Sequence, residues 1–491
     1  MLPKFVLLWT DAVMWALVLA MLVYAQFVQR RAPLKASWIR VFRDAPACAS
    51  AIVLALCLLV TLCDSVHFRR ALPTAAAGEG GAAKAVAYDT RTQSGLDALL
   101  SGLIESREAT YSRPLAYQSF TLQSLSIDGQ VRRVPPRLLH GGVHLKDPAQ
   151  EWGADIAMRA SLGLGLGVAL GALLCGAVVL ALARRAGIGW RAAARQVWRD
   201  ETVLRWRAAL GTLFALCVLA GPALLLMNHY HLLGTDRTGN DVFYQALKSI
   251  RTAFVIGTLA TLATLPLAVG LGLMAGYFKG WIDEAIQYFY TVLSSVPNVL
   301  LIAACVLMVQ VYLDQHPELF ETGAERADLK LFLLCAILGL TGWAGLCRLL
   351  RAEALKLREL EFVQAAVAFG VGPWRIIWRH LVPNVMHLVL ITTVLEFSGL
   401  ILYEAVLSYV GVGVDPSMNS FGGMINLARS EMSRDPVVWW SFAAAFGFMV
   451  TLVLAANFFA DGVRDAFDPR ARVYRARRPV APAATPTVNA D

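Results

Sequence analysis

The sequence predicts an all-α polytopic membrane protein, from its composition and from the spacing of its apolar runs. Of the 491 residues, 57% are hydrophobic and 16% are charged, whereas a soluble domain carries about 25% charged residues. The mean hydropathy is +0.56. Nine apolar runs are long enough for a helix to cross a bilayer. They are 5–28, 46–67, 159–183, 207–228, 252–277, 286–313, 329–350, 385–410 and 437–460.

The first apolar run is predicted to be a retained helix rather than a secretory signal. It is longer than a typical signal core, and Arg30 and Arg31 follow it rather than precede it. Between the second and third runs lies a polar segment, 68–158. Its pieces Tyr117–Ile127 and Val131–Leu138 are prone to β structure. This composition favours a small folded insert, and a partly disordered loop is the alternative.

Basic residues predict the orientation of the chain. Arg and Lys cluster between runs one and two, three and four, and seven and eight, and again after run nine. With nine spans, all four clusters are cytoplasmic when the N-terminus is outside and the C-terminus is inside. The insert is then extracytoplasmic. The net charge of +9 is thereby explained by the membrane topology, and we expect no nucleic-acid partner.

Several kinds of chemistry are not expected. All eight cysteines lie in or beside apolar runs, and none forms a Cys-x-x-Cys pair or a Cys/His cluster with metal-ligand spacing. We therefore predict no metal site, no cofactor and no catalytic residues. The sequence contains no Gly-x-x-x-x-Gly-Lys-Ser/Thr phosphate loop, so any ATP hydrolysis would belong to other subunits.

The segment 361–384, between the seventh and eighth runs, is the main functional candidate. A helix-forming run, Ala352–Ala368, is interrupted by Gly370 and Gly372. Pro373 suits the first turn of a second short helix, where its missing N–H is not needed. The pattern predicts a helix–turn–helix on the cytoplasmic side.

The second of these helices is predicted to be amphipathic. Trp374, Ile377 and Trp378 fall on one face by their spacing, and Pro383 is predicted to end the helix before the next span. An apolar face at the protein surface normally packs against another molecule. A docked protein and the lipid headgroup region would cover it equally well.

This segment resembles the cytoplasmic motif of ABC importer permeases: Glu-Ala-Ala, three residues, Gly, nine residues, then Ile-x-Leu-Pro. Here Gln364-Ala365-Ala366, Gly370 and His380-Leu-Val-Pro383 stand at that spacing. Three more segments resemble the dipeptide/oligopeptide branch of these permeases in the same order. They are His231–Val242, Leu407–Gly413 and Asp461–Arg470. In the first of them the matching residues are Gly234, Thr235, Asp236, Gly239 and Asp241.

Some positions depart from the family pattern. His380 stands where the general motif has Ile. Gln364 stands where the motif has Glu, and Asn240 stands where the branch has Arg. The spacing of both motifs is preserved.

The resemblance, to C-type permease subunits of bacterial peptide importers, implies a fold and a set of partners. Residues 205–470 would form a six-helix type I importer core, and 1–204 an extension with three more transmembrane helices and the insert at 68–158. Residues 471–491 would be a flexible tail. The implied partners are a B-type permease, two ATPase subunits, an extracytoplasmic substrate-binding protein and the lipid bilayer of the inner membrane.

The resemblance also assigns a role to the 361–384 segment, which would couple the permease to the ATPase. The implied coupling residues are Gln364, Ala365, Ala366, Gly370, Gly372, Trp374, His380 and Pro383. Glu396 and Glu404, eight residues apart on an apolar span, are candidates for lining the translocation path. Interhelical polar contacts are the alternative for both. A secondary transporter and a non-transporting scaffold are the competing functions.

Overall fold

The structure, a computed structural model, describes residues 4–71, 88–127 and 130–467. Residues 72–87 of the predicted insert and the predicted tail at 471–491 lie outside the described residues. The helices are α1 Trp9–Arg30, α2 Ala32–Val41, α3 Ala45–Asp64, α4 Gly95–Leu99, α5 Ser101–Glu105, α6 Pro148–Ala186, α7 Trp190–Trp198, α8 Trp206–Leu226, α9 Val242–Phe278, α10 Gly280–Ser295, α11 Asn298–Gln315, α12 Gly323–Gly342, α13 Ala344–Arg358, α14 Glu361–Ala368, α15 Pro373–Ile376, α16 Val382–Val410, α17 Phe421–Met432 and α18 Trp440–Phe467. The strands are β1 Lys4–Val6, β2 His67–Arg69, β3 Gln93–Ser94, β4 Gln123–Ile127 and β5 Gln130–Val134.

The predicted all-α membrane architecture is confirmed. Among the described residues, eight helices are long and apolar enough to cross a bilayer, and a ninth span results if α12 and α13, bent by 41°, are counted as one. These nine correspond in order to the nine apolar runs of the sequence.

The sixth apolar run, 286–313, is divided between two helices, α10 and α11. The helix breaks between α10 and α11, where Val296 is extended at φ −90° and ψ 134°. Pro297 is the cause, because its ring disfavours helical geometry at the residue before it. Pro266, by contrast, lies inside α9 without ending it.

The bounds of the insert also change. Residues 148–158 belong to α6, a helix of 39 residues that extends well beyond the predicted span at 159–183. At the other end, β1 pairs antiparallel with β2, which pairs with β3. Phe5 and Val6, at the start of the first predicted span, and His67, at the end of the second, therefore lie in strands of one small sheet. The β-prone pieces of the insert form the hairpin β4–β5.

Contacts divide the molecule into two ends. One end, which we call the insert end, contains the β1–β2–β3 sheet, the insert, residues 227–241 and the α17 region. The 361–384 segment and the α9–α10 junction meet at the other, the loop end.

The extension packs directly on the core. Cys57 of α3 lies in a buried cluster with Ile250 of α9 and Leu452 of α18. Between α6 and α8 the backbones approach so closely that a Cβ on Gly163 would lie 2.6 Å from Pro222 Cα. Small residues permit this contact, which is typical of helices packed in a membrane.

Candidate functional site

The 361–384 segment forms two short helices joined by a turn. Gly370 in the turn has φ +75°, a left-handed conformation that glycine adopts without strain. Pro373 begins α15, as predicted. The predicted continuous run Ala352–Ala368 is wrong, because α13 ends at Arg358 and α14 begins at Glu361.

Pro383 does not end the second helix, contrary to the sequence-based prediction. A π-helical turn, Ile377–Leu381, connects α15 to α16, with Pro383 in the first turn of α16. A π turn shifts the hydrogen-bond register locally, so the missing N–H of proline is accommodated without breaking the helix. The short helix is therefore continuous with a transmembrane span.

The predicted single apolar face is in fact two faces. Ile377 is buried with Ile376 and Leu381 against α9, α13 and α16. Trp374 and Trp378 lie on the other side and are 56% and 69% exposed. Phe369, in the turn, is 88% exposed. The buried face anchors the segment, and the exposed aromatic side chains are available to a partner.

Other contacts tie the segment to the ends of neighbouring helices. The ring of Trp374 lies 5.9 Å from that of Phe278, at the end of α9. Lys279 Nζ lies 3.0 Å from Glu359 Oε1. Gln364, in the position of the motif's Glu, donates from Nε2 to the Glu359 carbonyl at 3.2 Å, a bond that a glutamate could not donate.

Three further predicted residues of the segment, Ala365, Ala366 and His380, divide between its surface and its core. Ala366 is buried in the core cluster and Ala365 is exposed. The ring of His380 lies 6.1 Å from that of Phe362 on α14. Gly372 is the residue before α15 and is exposed.

The predicted residues of the His231–Val242 motif close a turn that starts α9. Gly234 and Gly239 have φ +72° and +79°. Asp241 accepts a hydrogen bond from the Tyr244 N–H at 3.0 Å and so caps the helix. Asp236 accepts from the backbone N–H groups of residues 238 and 240 within the turn. Thr235 is fully buried.

His231 joins this motif to the insert. Its Nδ1 lies 2.8 Å from Asp241 Oδ2 and its Nε2 lies 3.4 Å from Glu108 Oε1. Burial lowers the pKa of His231, but the two carboxylates outweigh burial and raise it to about 9. Burial likewise raises the pKa of Glu108, but His231 and the backbone N–H groups of residues 139–141 lower it to about 2. We call this the Glu108–His231–Asp241 triad.

The insert covers the motif at several further points. Ser112 donates its backbone N–H to Thr235 Oγ1 at 2.7 Å, and Tyr111 donates to Glu431 on α17 at 3.0 Å. Trp440 on α18 donates to the Thr235 carbonyl at 3.0 Å. No pattern in the sequence indicates Glu108 or Tyr111, because a loop sequence does not reveal which distant segment the loop will contact.

Glu404 and Glu396 differ in their surroundings. Glu404 is 1% exposed and accepts from Ser408 Oγ at 2.6 Å; the backbone of Gly422 at the start of α17 also donates to it. Glu404 therefore makes an interhelical polar contact, which was the alternative to a role in lining the translocation path. Glu396 is half-buried.

Comparison with known proteins identifies the family. Residues 268–473 match the family described as "Binding-protein-dependent transport system inner membrane component". The oligopeptide transport system permease protein OppC of Haemophilus influenzae is 32% identical over 246 residues, which are 50% of this chain and 72% of that protein. The chain belongs to this family. It is accordingly a transport subunit and a multi-pass protein of the inner membrane.

Further relatives of this permease are similar over much of their length. OppC of Mycobacterium tuberculosis is 30% identical over 58% of this chain and 97% of that protein. The glutathione transport system permease protein GsiD of Pectobacterium atrosepticum is 31% identical over 49% of this chain and 73% of that protein. Permeases of this family act with an ATPase and a substrate-binding protein.

Proposed function

We propose that this permease is the C-type subunit of an ATP-driven importer for peptides or peptide-like solutes. The names of its relatives, which transport oligopeptides and glutathione, support the substrate class. The observation that carries the coupling role is the continuity of the exposed α15 with the span α16 through a π turn. A force on α15 would therefore act directly on a transmembrane helix.

The ATPase docks, in this proposal, on the exposed aromatic residues of the 361–384 segment. Phe369, Trp374 and Trp378 present aromatic area at the end of a rigidly anchored element, and aromatic residues of this kind dominate the binding energy of protein interfaces. Movement of α15 would pass to α16 through the π turn and to α9 through the Trp374–Phe278 contact. The permease would then alternate between inward-facing and outward-facing states.

The second permease, proposed to be of B-type, would cover α10 and α11. Large apolar side chains on these helices are more than half exposed: Trp281, Tyr288, Phe289, Leu300, Met308, Val311 and Tyr312. Lipid can cover such a surface, but aromatic and long apolar side chains also favour packing against a partner helix. One copy of each permease and two ATPases complete the proposed assembly.

We propose the orientation that the basic clusters support, with the loop end in the cytoplasm. The N-terminus and the insert are then extracytoplasmic, and the C-terminus is cytoplasmic. We further propose that the insert contacts the substrate-binding protein, because it lies over the motif at the insert end.

Co-purification and transport test the proposal together. The chain is co-expressed with the candidate second permease and ATPases, purified by a tag on the chain, and assayed for ATP-dependent peptide uptake in vesicles. We expect Trp374→Ala combined with Phe369→Ala to abolish ATPase retention. The matched control is Trp190→Ala, because Trp190 is 60% exposed but lies outside the segment.

Three outcomes separate the competing functions. Uptake that requires ATP and the ATPase supports the proposal. Uptake driven by an ion gradient without any ATPase indicates a secondary transporter. A chain that binds partners but never supports uptake is a scaffold.

A further inference from the structure

The connection between α6 and α8 lies at a membrane surface. The two helices pack antiparallel: a Cβ on Gly163, early in α6, would lie close to Pro222, late in α8, and one on Gly171 would lie close to Phe214. Both helices are long and apolar enough to span a bilayer. The end of α6 and the start of α8 are therefore at the same membrane surface. The short helix α7 between them lies there too, whichever way the chain is oriented.

Only one side of α7 is buried in the protein. Ala193 and Val197, one turn apart, are buried, and α7 contacts α6. Trp198, at the end of α7, is 74% exposed, and Val203 in the following loop is 61% exposed. Tryptophan is enriched where proteins cross the membrane–water interface. The two exposed side chains are therefore placed to enter the boundary between lipid headgroups and acyl chains.

The same connection carries a large excess of positive charge. Residues 184–207 contain seven arginines, all exposed, against two acids, Asp200 and Glu201. The arginines are Arg184, Arg185, Arg191, Arg195, Arg199, Arg205 and Arg207. In the part of the chain that the structure describes, only Arg205 has a carboxylate within ion-pair distance, that of Asp200 at 3.5 Å. Cations in this number at a membrane surface attract anionic lipid headgroups.

Arginines from two separate loops lie beside the exposed apolar side chains. The guanidinium carbon of Arg207 lies 5.6 Å from the centre of the Trp198 ring. Arg43, in the turn between α2 and α3, donates from Nε to the Val203 carbonyl at 3.1 Å. Arg199 follows Trp198 in the chain and is exposed. We call Arg43, Trp198, Arg199, Val203 and Arg207 the α7–α8 corner.

The positive-inside rule accounts for basic residues in this loop, but not for their position around exposed apolar side chains. A guanidinium binds a phosphate through two parallel hydrogen bonds, and Arg43, Arg199 and Arg207 have no carboxylate partner within the described ranges. An exposed tryptophan and an exposed valine beside them offer contact to acyl chains. Phosphate and acyl chain occur together in one kind of molecule, a phospholipid.

We propose that the α7–α8 corner binds an anionic phospholipid. The guanidinium groups of Arg43, Arg199 and Arg207 bind its phosphate, and Trp198 and Val203 contact the upper part of its acyl chains. Because Arg43 immediately precedes α3 and Arg207 lies at the start of α8, one lipid would join two helices of the extension at the membrane surface. The site goes beyond the transport function and does not depend on it.

The test is a titration of the full-length chain in detergent micelles with dioleoylphosphatidylglycerol or dioleoylphosphatidylcholine, with bound lipid counted by native mass spectrometry. We expect the anionic lipid to bind more tightly. The double variant Arg199→Gln, Arg207→Gln should bind phosphatidylglycerol about twentyfold more weakly, because each cation near a membrane surface contributes about fivefold. Its affinity for phosphatidylcholine should not change. The control, Arg132→Gln with Arg133→Gln, removes the same charge from the exposed strand β5 and should leave both affinities unchanged.

Equal affinity for the two lipids would overturn the proposal, and so would an unchanged affinity of the double variant for phosphatidylglycerol. The pair Arg199→Lys, Arg207→Lys keeps both charges and should keep most of the preference for the anionic lipid; a loss as large as that of the glutamine pair indicates a structural effect and counts against the site. Excess inorganic phosphate should not displace the lipid, and displacement would point to a site for the free anion. The titration contains no ATPase and no peptide, so failure of the transport function would not alter its result.

Discussion

Replacing Asp11 by alanine removes the nearest partner of a buried arginine at the boundary between the extension and the core. Arg251 on α9 is 4% exposed, and its Nη2 lies 2.6 Å from Asp11 Oδ1 on α1. The same nitrogen lies 3.0 Å from Thr10 Oγ1 and 3.7 Å from Asp328 Oδ1 on α12. Asp11 also contacts His67 at 2.7 Å. The Asp11 carboxylate of the extension therefore pairs with the Arg251 guanidinium of the core.

The expected loss in the free energy of unfolding depends on which buried charges each variant leaves without a partner. Removing one member of a buried ion pair costs about 3–5 kcal/mol. Asp11→Ala leaves Asp328 near the guanidinium, so we expect a loss of about 3 kcal/mol. Arg251→Met leaves two buried carboxylates without their cation, so we expect about 5 kcal/mol. Either loss is a large part of the roughly 5–15 kcal/mol by which a folded domain is stable.

Denaturant titration in mixed micelles measures these losses as changes in the free energy of unfolding. The control is Asp314→Asn, because Asp314 pairs with Arg326 at the surface and such pairs contribute about 0–1 kcal/mol. The double variant of Asp11 and Arg251 should lose clearly less than the sum of the single losses. A loss for Asp11→Ala no larger than that of the control would refute the reasoning.

Three further predictions concern the triad, its glycine contact and the path. The rise of the His231 pKa from 6.5 to about 9 corresponds to about 3 kcal/mol of folding stability. Because Glu108 stays charged, this stability is complete below about pH 6.5 and is lost as the pH rises through about 9. If the melting temperature of His231→Gln follows that of the unmodified chain in parallel over pH 6–10, the prediction is contradicted. Gly239→Ala should destabilise the insert end, since the added Cβ would lie 1.8 Å from the Glu108 carbonyl oxygen, whereas Gly153→Ala, in open space on α6, should not lower the melting temperature. Glu396→Gln should reduce uptake in vesicles if Glu396 lines the path, and normal uptake removes that role.

Much of the site could be predicted from local sequence. Gly370 and Pro373 fix the turn and the start of α15 because each restricts the backbone at its own position. The failures were at Pro383 and Ile377. The rule that proline ends a helix assumes α-helical hydrogen bonding before the proline. The π turn before Pro383 has a different hydrogen-bond pattern, so the rule does not apply there. The orientation of Ile377 depended on which neighbouring helices it packs against.

The contacts between the extension and the core could not be predicted. Asp11, Glu108 and Tyr111 each contact a residue more than a hundred positions away, and a single sequence carries no information on such pairs. The insert looked like a polar segment with β-prone pieces, and nothing in it indicated that it would cover the His231–Val242 motif.

The sequence by itself determined that this protein has eight or nine helices able to cross a membrane, and that its C-terminal half resembles importer permeases. Those properties depend on local hydrophobicity, local backbone preference and motif spacing. Only the tertiary structure decided that Asp11 of the extension pairs with Arg251 of the core, that α15 continues into α16, and that Glu108, His231 and Asp241 meet. Those properties depend on which surfaces meet, and the packing of the whole chain decides that.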